Sequence, residues 1–295
     1  MVDESLSGRL ALRAEAPAET RPAAPSLSLK NGAAMPMIGL GTWPMDDEES
    51  ARAVEQAIQI GYRHVDTAEN YENEAGVGEG IRRSGIPRNE IFITTKFNRG
   101  WHSSEGVVEA FENSIARLGV DYLDLFMIHW PNPELDNYVD AFRGLEVLRR
   151  EGRVRAVGVA NFKKSHLQRL FDADFTPEVN QIQIDPEHVR NEQIEFHERH
   201  GIVTAAYSPL GRGGAFLRDA SIASAAAHHR RTPSQIVLRW HTQKGVAAVP
   251  KSADPSRQLE NLNIFDFRLT PDQMRAIDAL DTGGPARLDS DSFGH

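Results

Sequence analysis

The chain has 295 residues, with 33 Lys and Arg against 42 Asp and Glu, a formal charge of −9 at pH 7. Its 40% hydrophobic and 25% charged residues suit a folded protein and not a disordered one. The acidic balance argues against a general nucleic-acid or anionic-membrane binder, which needs a basic face. The lack of cysteine excludes disulfides, Cys-ligated zinc, iron–sulfur clusters and thiol nucleophiles.

Residues 1–25 carry Pro17, Pro22 and Pro25 among Ala and Glu, with little apolar content. A flexible tail is expected there, ahead of one domain over residues 26–295. No apolar run approaches the roughly 18 residues of a membrane span. The N-terminus shows no signal-peptide core, so the expectation is a cytoplasmic protein with no membrane partner.

From residue 38 onward, short apolar, β-branched runs alternate with amphipathic helical patterns. The runs are 38–43, 62–68, 91–97, 123–129, 154–161, 178–184, 202–208 and 246–252. Between the first two, Asp46 and Asp47 can cap a helix that lines up Ala51, Val54 and Ile58, and Gly61 suits its left-handed end. Ser104 heads a similar helix through Val107, Phe111 and Ile115 to Gly119. The seventh connection has room for two helices, 219–229 and 233–243. Alternation of this kind predicts an α/β chain with a parallel sheet, and eight units predict closure into a (β/α)₈ TIM barrel.

An open doubly wound sheet is the alternative, but it usually carries a glycine fingerprint after its first strand. Gly39-Leu-Gly41 meets Pro44 where a third glycine belongs, and Gly76-Val-Gly78-Glu-Gly80 follows no strand. His197-Glu-Arg-His200 has the wrong spacing for two zinc ligands on one helical face. Asp289-Ser-Asp291-Ser-Phe293 begins like a calcium loop but offers a phenyl where a ligand is needed. No metal site is expected.

In a (β/α)₈ barrel, chemistry sits at the C-terminal ends of the strands. The second run ends at Asp66 with Tyr71 close behind, the third at Lys96 and the fourth at His129. Each alone has an ordinary structural reading: a cap, a barrel ion pair, a packed phenol, a core imidazole. Together they place an anion, a cation, a phenol and an imidazole on one rim. An ammonium beside a phenol stabilises its phenolate, and a carboxylate holds the ammonium. Such a phenol can act as general acid while a neutral imidazole orients a carbonyl oxygen. This machinery suits carbonyl reduction.

The motifs carrying these residues resemble those of the aldo-keto reductase superfamily. Gly61-Tyr-Arg-His-Val-Asp66-Thr-Ala-Glu-Asn-Tyr71-Glu-Asn-Glu74 is similar to its first signature. Asp121-Tyr-Leu-Asp-Leu-Phe-Met-Ile-His129-Trp-Pro131 is similar to the segment holding its histidine. Val249-Pro-Lys251-Ser252, with Arg257, Glu260 and Asn261, is similar to its cofactor signature. The segments 38–43, with Gly41 and Thr42, and Tyr207-Ser-Pro-Leu-Gly211 agree, and the likeness runs from about Leu27 to about residue 280.

The resemblance implies a barrel with a short N-terminal β-hairpin that binds NADPH across its C-terminal face without a glycine fingerprint. It implies that Tyr71 is the acid, tuned by Lys96 and Asp66, and that His129 orients the carbonyl. Lys251, Ser252 and Arg257 would take the 2′-phosphate, which favours NADPH over NADH. Tyr207 would stack on the nicotinamide, Asn161 and Gln181 would bond its carboxamide, and Ser208, Leu210 and Gly211 would border the diphosphate. Trp43 and Trp130 would wall the substrate pocket, and short lids over 131–138 and after Asp281 would leave it open.

Ala160, Gln183, Asp185 and Asn98 depart from the family pattern near the site. The likeness is strongest to bacterial members of the diketogluconate reductase type, which act on small aldehydes, keto sugars and dicarbonyls. It implies a monomer whose partner is a small carbonyl substrate. A cofactor-binding regulatory subunit with little turnover is the alternative.

Overall fold

A computed structural model of the chain describes residues 24–295. The tail expected over residues 1–25 therefore lies, up to residue 23, outside the described residues. The ordered chain opens with the hairpin the resemblance implied: β1 (Ser26–Ser28) runs antiparallel to β2 (Ala34–Pro36), with Leu27 opposite Met35.

Eight parallel strands follow: β3 (Leu40–Gly41), β4 (His64–Asp66), β5 (Phe92–Phe97), β6 (Leu123–Ile128), β7 (Val154–Ala160), β8 (Val179–Gln183), β9 (Val203–Tyr207) and β10 (Ala247–Val249). Each pairs with its neighbour in chain order. Parallel bridges from Ile38 to Ala248 and from Gly41 to Lys251 join the first strand to the last and close the ring. All eight expected runs thus contain a strand, and the open-sheet alternative falls on that closure. Gly41 is required at the seam, because an added Cβ would lie 2.7 Å from the Val249 carbonyl oxygen.

The helices are α1 (Asp47–Ile60), α2 (Glu74–Arg83), α3 (Ser104–Leu118), α4 (Tyr138–Arg150), α5 (Lys164–Phe171), α6 (Asn191–Arg199), α7 (Ala220–His229), α8 (Pro233–Gln243), α9 (Pro255–Leu262) and α10 (Pro271–Asp278). Their starts follow local chemistry. Asp46 accepts from the Glu49 backbone at 2.8 Å, and Thr232 with Gln235 forms a capping box for α8. The cap of α3 is Ser103, one residue before the expected Ser104, because it is the Ser103 hydroxyl that accepts from the Gly106 N–H.

Outside the sheet, Val54, Ile58, Phe111, Phe142 and Leu145 of α1, α3 and α4 pack on Val65, Ile93, Phe126 and Val157. Inside, Leu125, Met127, Ala156, Ala205 and Ala247 meet Leu29 and Met35 of the hairpin, which covers the N-terminal end of the barrel. Burial of these side chains is the main stabilising term. The glycines of 76–80 serve packing between helices. A Cβ at Gly76 would fall 2.1 Å from the Asp47 carbonyl oxygen, and one at Gly78 would fall 2.0 Å from that of Leu118. No described helix is long and apolar enough to cross a membrane.

Candidate active site

The open end of the barrel is the C-terminal one. There β4 delivers Asp66 and β5 delivers Lys96, and the two form an ion pair at 2.7 Å from Nζ to Oδ1. Lys96 is fully buried. Its ammonium also donates to the Thr67 carbonyl oxygen at 2.9 Å. The second carboxylate oxygen, Oδ2, accepts from Nε2 of Gln181 at 2.7 Å. A buried ion pair survives only when its remaining polar atoms are bonded as these are. Burial alone would depress the lysine, but Asp66 and Tyr71 together hold it above its ordinary value.

Tyr71 ends a short 3₁₀ turn, Glu69–Tyr71, after which Glu72 takes a left-handed conformation at φ 54°. Two side chains pin this loop, Asn73 buried and Glu69 half-buried. Asn73 accepts from the Thr67 hydroxyl at 2.8 Å and donates to the carbonyls of Thr42 at 3.1 Å and Met45 at 2.8 Å. The Glu69 carboxylate accepts from the Asn98 N–H at 3.0 Å and the Trp101 indole at 2.8 Å. The Lys96 ammonium then stands 5.3 Å from the centre of the Tyr71 ring. Burial raises the phenol above its ordinary value, and Lys96 pulls against that rise without cancelling it. Desolvation outweighs the pull of Lys96, so the phenol keeps its proton at neutral pH.

His129 lies just past β6, its ring 5.8 Å from that of Tyr71 at an interplanar angle of 75°. Burial, then the charge of Lys96 and the nearby His295, hold its imidazole well below the usual histidine value. It is a neutral group, and its Nδ1 has no hydrogen-bond partner among the described residues. Asn161, at φ 65°, donates from Nδ2 to the His129 carbonyl oxygen at 3.0 Å and fixes the backbone beneath the ring.

The walls differ from one another. Trp130 is buried, whereas Trp43 is 41% exposed at the rim with the Arg212 guanidinium 4.1 Å over its ring. Trp130 is covered by the chain beyond Asp281, which is short yet crosses the barrel mouth. Phe293 packs on Trp130 at 4.8 Å and His295 on His129 at 5.2 Å. The carbonyl of His295 accepts from the Arg99 N–H at 2.8 Å. Asp289 and Asp291, the start of the apparent calcium loop, instead hold this segment to Lys163, and Asp291 also reaches His166. The short tail therefore narrows the pocket it was expected to leave open.

The remaining predicted residues end or follow β3, β9 and β10. Thr42 donates from its backbone and hydroxyl to the Asp66 carbonyl oxygen, each at 3.1 Å. Tyr207 ends β9 and is held above its ordinary value by burial. The turn after it places Ser208 and Gly211 at positive φ, with the Gly211 N–H donating to the Ser208 carbonyl at 2.8 Å and Leu210 between them. Ser252 is buried, and Asn261 is buried on α9. Lys251 and Arg257 are exposed, Lys251 reaching Glu49 at 3.4 Å. Glu260 turns its carboxylate to solvent while its carbonyl accepts from Gln235 at 3.1 Å.

The aldo/keto reductase family model matches residues 37–282. An aldo-keto reductase of Mycolicibacterium smegmatis is 43% identical over 88% of this chain and 94% of its own length. The chain belongs to the aldo/keto reductase family. The methylglyoxal reductase DkgA of Salmonella typhimurium is 41% identical over 91% of this aldo/keto reductase and 98% of its own chain. A crystal structure of a Gox0644 mutant in complex with NADPH superposes with a TM-score of 0.88, at 40% identity, covering 92% and 99% of the two chains.

Several residues close to these groups have no site role in the sequence reading: Phe293 and His295 on the tail, Arg190 and Arg212 on two loops, and Arg287. The departing Gln183 and Asp185 explain part of this. Asp185 accepts from Nε2 of Gln183 at 3.0 Å and faces Nδ1 of His188 at 2.8 Å, and the side-chain Oε1 of Gln183 accepts from the Arg287 N–H at 2.8 Å. The two departures thus shape the loop that receives the tail. Only their departure from the family pattern signalled this in the sequence.

Proposed function

We propose that the chain is an NADPH-dependent reductase of small aldehydes and ketones, keto sugars and dicarbonyls among them. One arrangement carries this reading: a protonated Tyr71 beside the buried Asp66–Lys96 pair, facing a neutral His129. The residues after β9 and β10 fit a dinucleotide phosphate. Lys251 and Arg257 offer two exposed cations beside the Ser252 hydroxyl. Gly211 admits close backbone approach in the Ser208 turn, where an added Cβ would meet Phe216 at 2.5 Å. The NADPH bound to the similar Gox0644 mutant supports the same choice. When bound, NADPH supplies a hydride to the substrate's carbonyl carbon.

This chain's own groups handle the oxygen. His129 holds the carbonyl oxygen toward Tyr71. Tyr71 passes its proton to that oxygen as negative charge builds there. Lys96 stabilises the tyrosinate left behind, and Asp66 keeps Lys96 charged and in place. The phenol recovers its proton from solvent.

The test is loss of nicotinamide absorbance with a panel of small aldehydes, dicarbonyls and keto sugars, run with NADPH and with NADH. Turnover favouring NADPH is expected. Tight NADPH binding with no turnover on any carbonyl would replace the reductase reading with that of a regulatory subunit.

A further inference from the structure

Three arginines gather at the pocket mouth from separate parts of the chain. Arg190 precedes α6, donates from Nη1 to the Gly284 carbonyl at 3.0 Å, and leaves Nη2 buried without a partner among the described residues. Arg287 lies three residues beyond Gly284, its N–H fixed on Gln183, which is the register partner of Tyr207 across β8 and β9. Arg212 lies five residues after Tyr207, with its guanidinium over Trp43. All three charges act on the Tyr207 phenol, and Arg212 acts on Tyr71 as well. Burial and then the charge of Arg287 lower Arg212, so the two repel.

Several arginines elsewhere are neutralised: Arg88 and Arg155 share Asp124, and Arg117 pairs with Glu74. None of the three at the mouth pairs with a carboxylate among the described residues. The nearby Asp185 is engaged by Gln183, His188 and the Glu187 N–H. Like charges held together on an acidic protein await an anion. The planar guanidinium fork suits a carboxylate or phosphate oxygen pair.

We propose that Arg190, Arg212 and Arg287 form an oxyanion subsite at the mouth, and that the favoured substrates carry a carboxylate remote from the reacting carbonyl. This rests on the reductase reading above. A cofactor diphosphate offers the same chemistry. The substrate is favoured because Arg212 lies over Trp43 and acts on Tyr71. Arg287 also belongs to the tail that covers His129 and Trp130, whereas Lys251 and Arg257 stand apart beyond β10.

The test compares 4-carboxybenzaldehyde with its neutral methyl ester, in the unmodified protein and in Arg212→Gln and Arg190→Gln. The unmodified protein is expected to favour the acid at least about tenfold in kcat/KM, with the preference shrinking as salt rises. Each variant should collapse the acid-to-ester ratio toward one through the KM of the acid, with NADPH affinity kept within about twofold. A ratio near one in the unmodified protein overturns the subsite. So does an unchanged ratio with weakened NADPH binding, which would assign the arginines to the cofactor. Calorimetric binding of the acid separates the two readings. If neither aldehyde is turned over but the acid binds and Arg212→Gln abolishes that binding, the subsite stands and the reductase reading falls. Absence of both turnover and binding removes both.

Discussion

Gln181 donates its side-chain N–H to Oδ2 of Asp66 at 2.7 Å, the carboxylate oxygen that Lys96 does not use. Both residues are buried, so this bond completes the shell of a buried charge. Replacing Gln181 by Leu leaves that oxygen unpaired, and losing the partner of a buried charged acceptor costs about 1–3 kcal/mol. Urea unfolding of Gln181→Leu is expected to show a loss of that size. An unchanged midpoint would mean that the bond contributes nothing to the folded state.

The phenol of Tyr71 is the proton source in the proposed reaction. Tyr71→Phe keeps the ring against Lys96 and His129 and removes only the hydroxyl. Turnover is expected to fall by about 10²–10⁴, the usual worth of a positioned acid. NADPH affinity, measured by fluorescence titration, should hardly change. Undiminished kcat would remove Tyr71 from the acid role.

The pH profile follows from the two directions of shift. His129 is held well below the usual histidine value, so it stays neutral through the range where a free imidazole titrates. Tyr71 is raised, so it keeps its proton beyond the ordinary tyrosine value. The kcat for reduction is therefore expected to be flat through pH 6–9 and to fall only in stronger alkali. An inflection near the free imidazole value of about 6.5 would contradict the neutral His129.

What could be read from the sequence is what is local. The strand runs, the Asp46 cap and the double helix before β10 each depend on a few adjacent residues. The rim of Asp66, Lys96 and His129 followed because strand ends of a barrel meet at one face. The arginine group did not follow, because its members come from the loops after β8 and β9 and from the tail. Nothing in the lone residues Arg190, Arg212 or Arg287 marks them. The tail's reach was hidden for a similar reason: its path depends on Lys163, His166 and Gln183, each more than a hundred residues away in sequence. The balance of burial against Lys96 at Tyr71 is a three-dimensional sum that a motif cannot express.

The cations beyond β10 carry the expected preference for NADPH. Arg257 makes no ion pair among the described residues, and the Lys251 contact with Glu49 is long and exposed. Neither holds the fold together, so both can be removed without unfolding the protein. Lys251→Ala with Arg257→Ala is expected to weaken NADPH binding by about 10–100-fold. NADH, which lacks the 2′-phosphate, should weaken by no more than about twofold. Equal losses for the two nucleotides would place the phosphate elsewhere.

Acid stability reports on a histidine far from the chemistry. His197 on α6 is fully buried, and its Nε2 faces the Asn180 amide nitrogen at 3.0 Å. The amide can only donate there, so Nδ1 bears the proton and faces the Thr204 hydroxyl at 2.9 Å. Protonating Nε2 would set two donors against each other. Burial, then the charges of His200 and Lys164, lower this imidazole to about 4. Because the folded value lies below the unfolded one, the unfolded chain binds the extra proton between them. Stability is therefore complete above about pH 6.5 and declines as pH falls toward 4. From pH 7 to pH 5 this one histidine should cost about 2 kcal/mol. In His197→Gln, unfolding free energies at the two pH values should differ by that much less than in the unmodified protein. An identical difference in both proteins would show that His197 takes no part in acid unfolding.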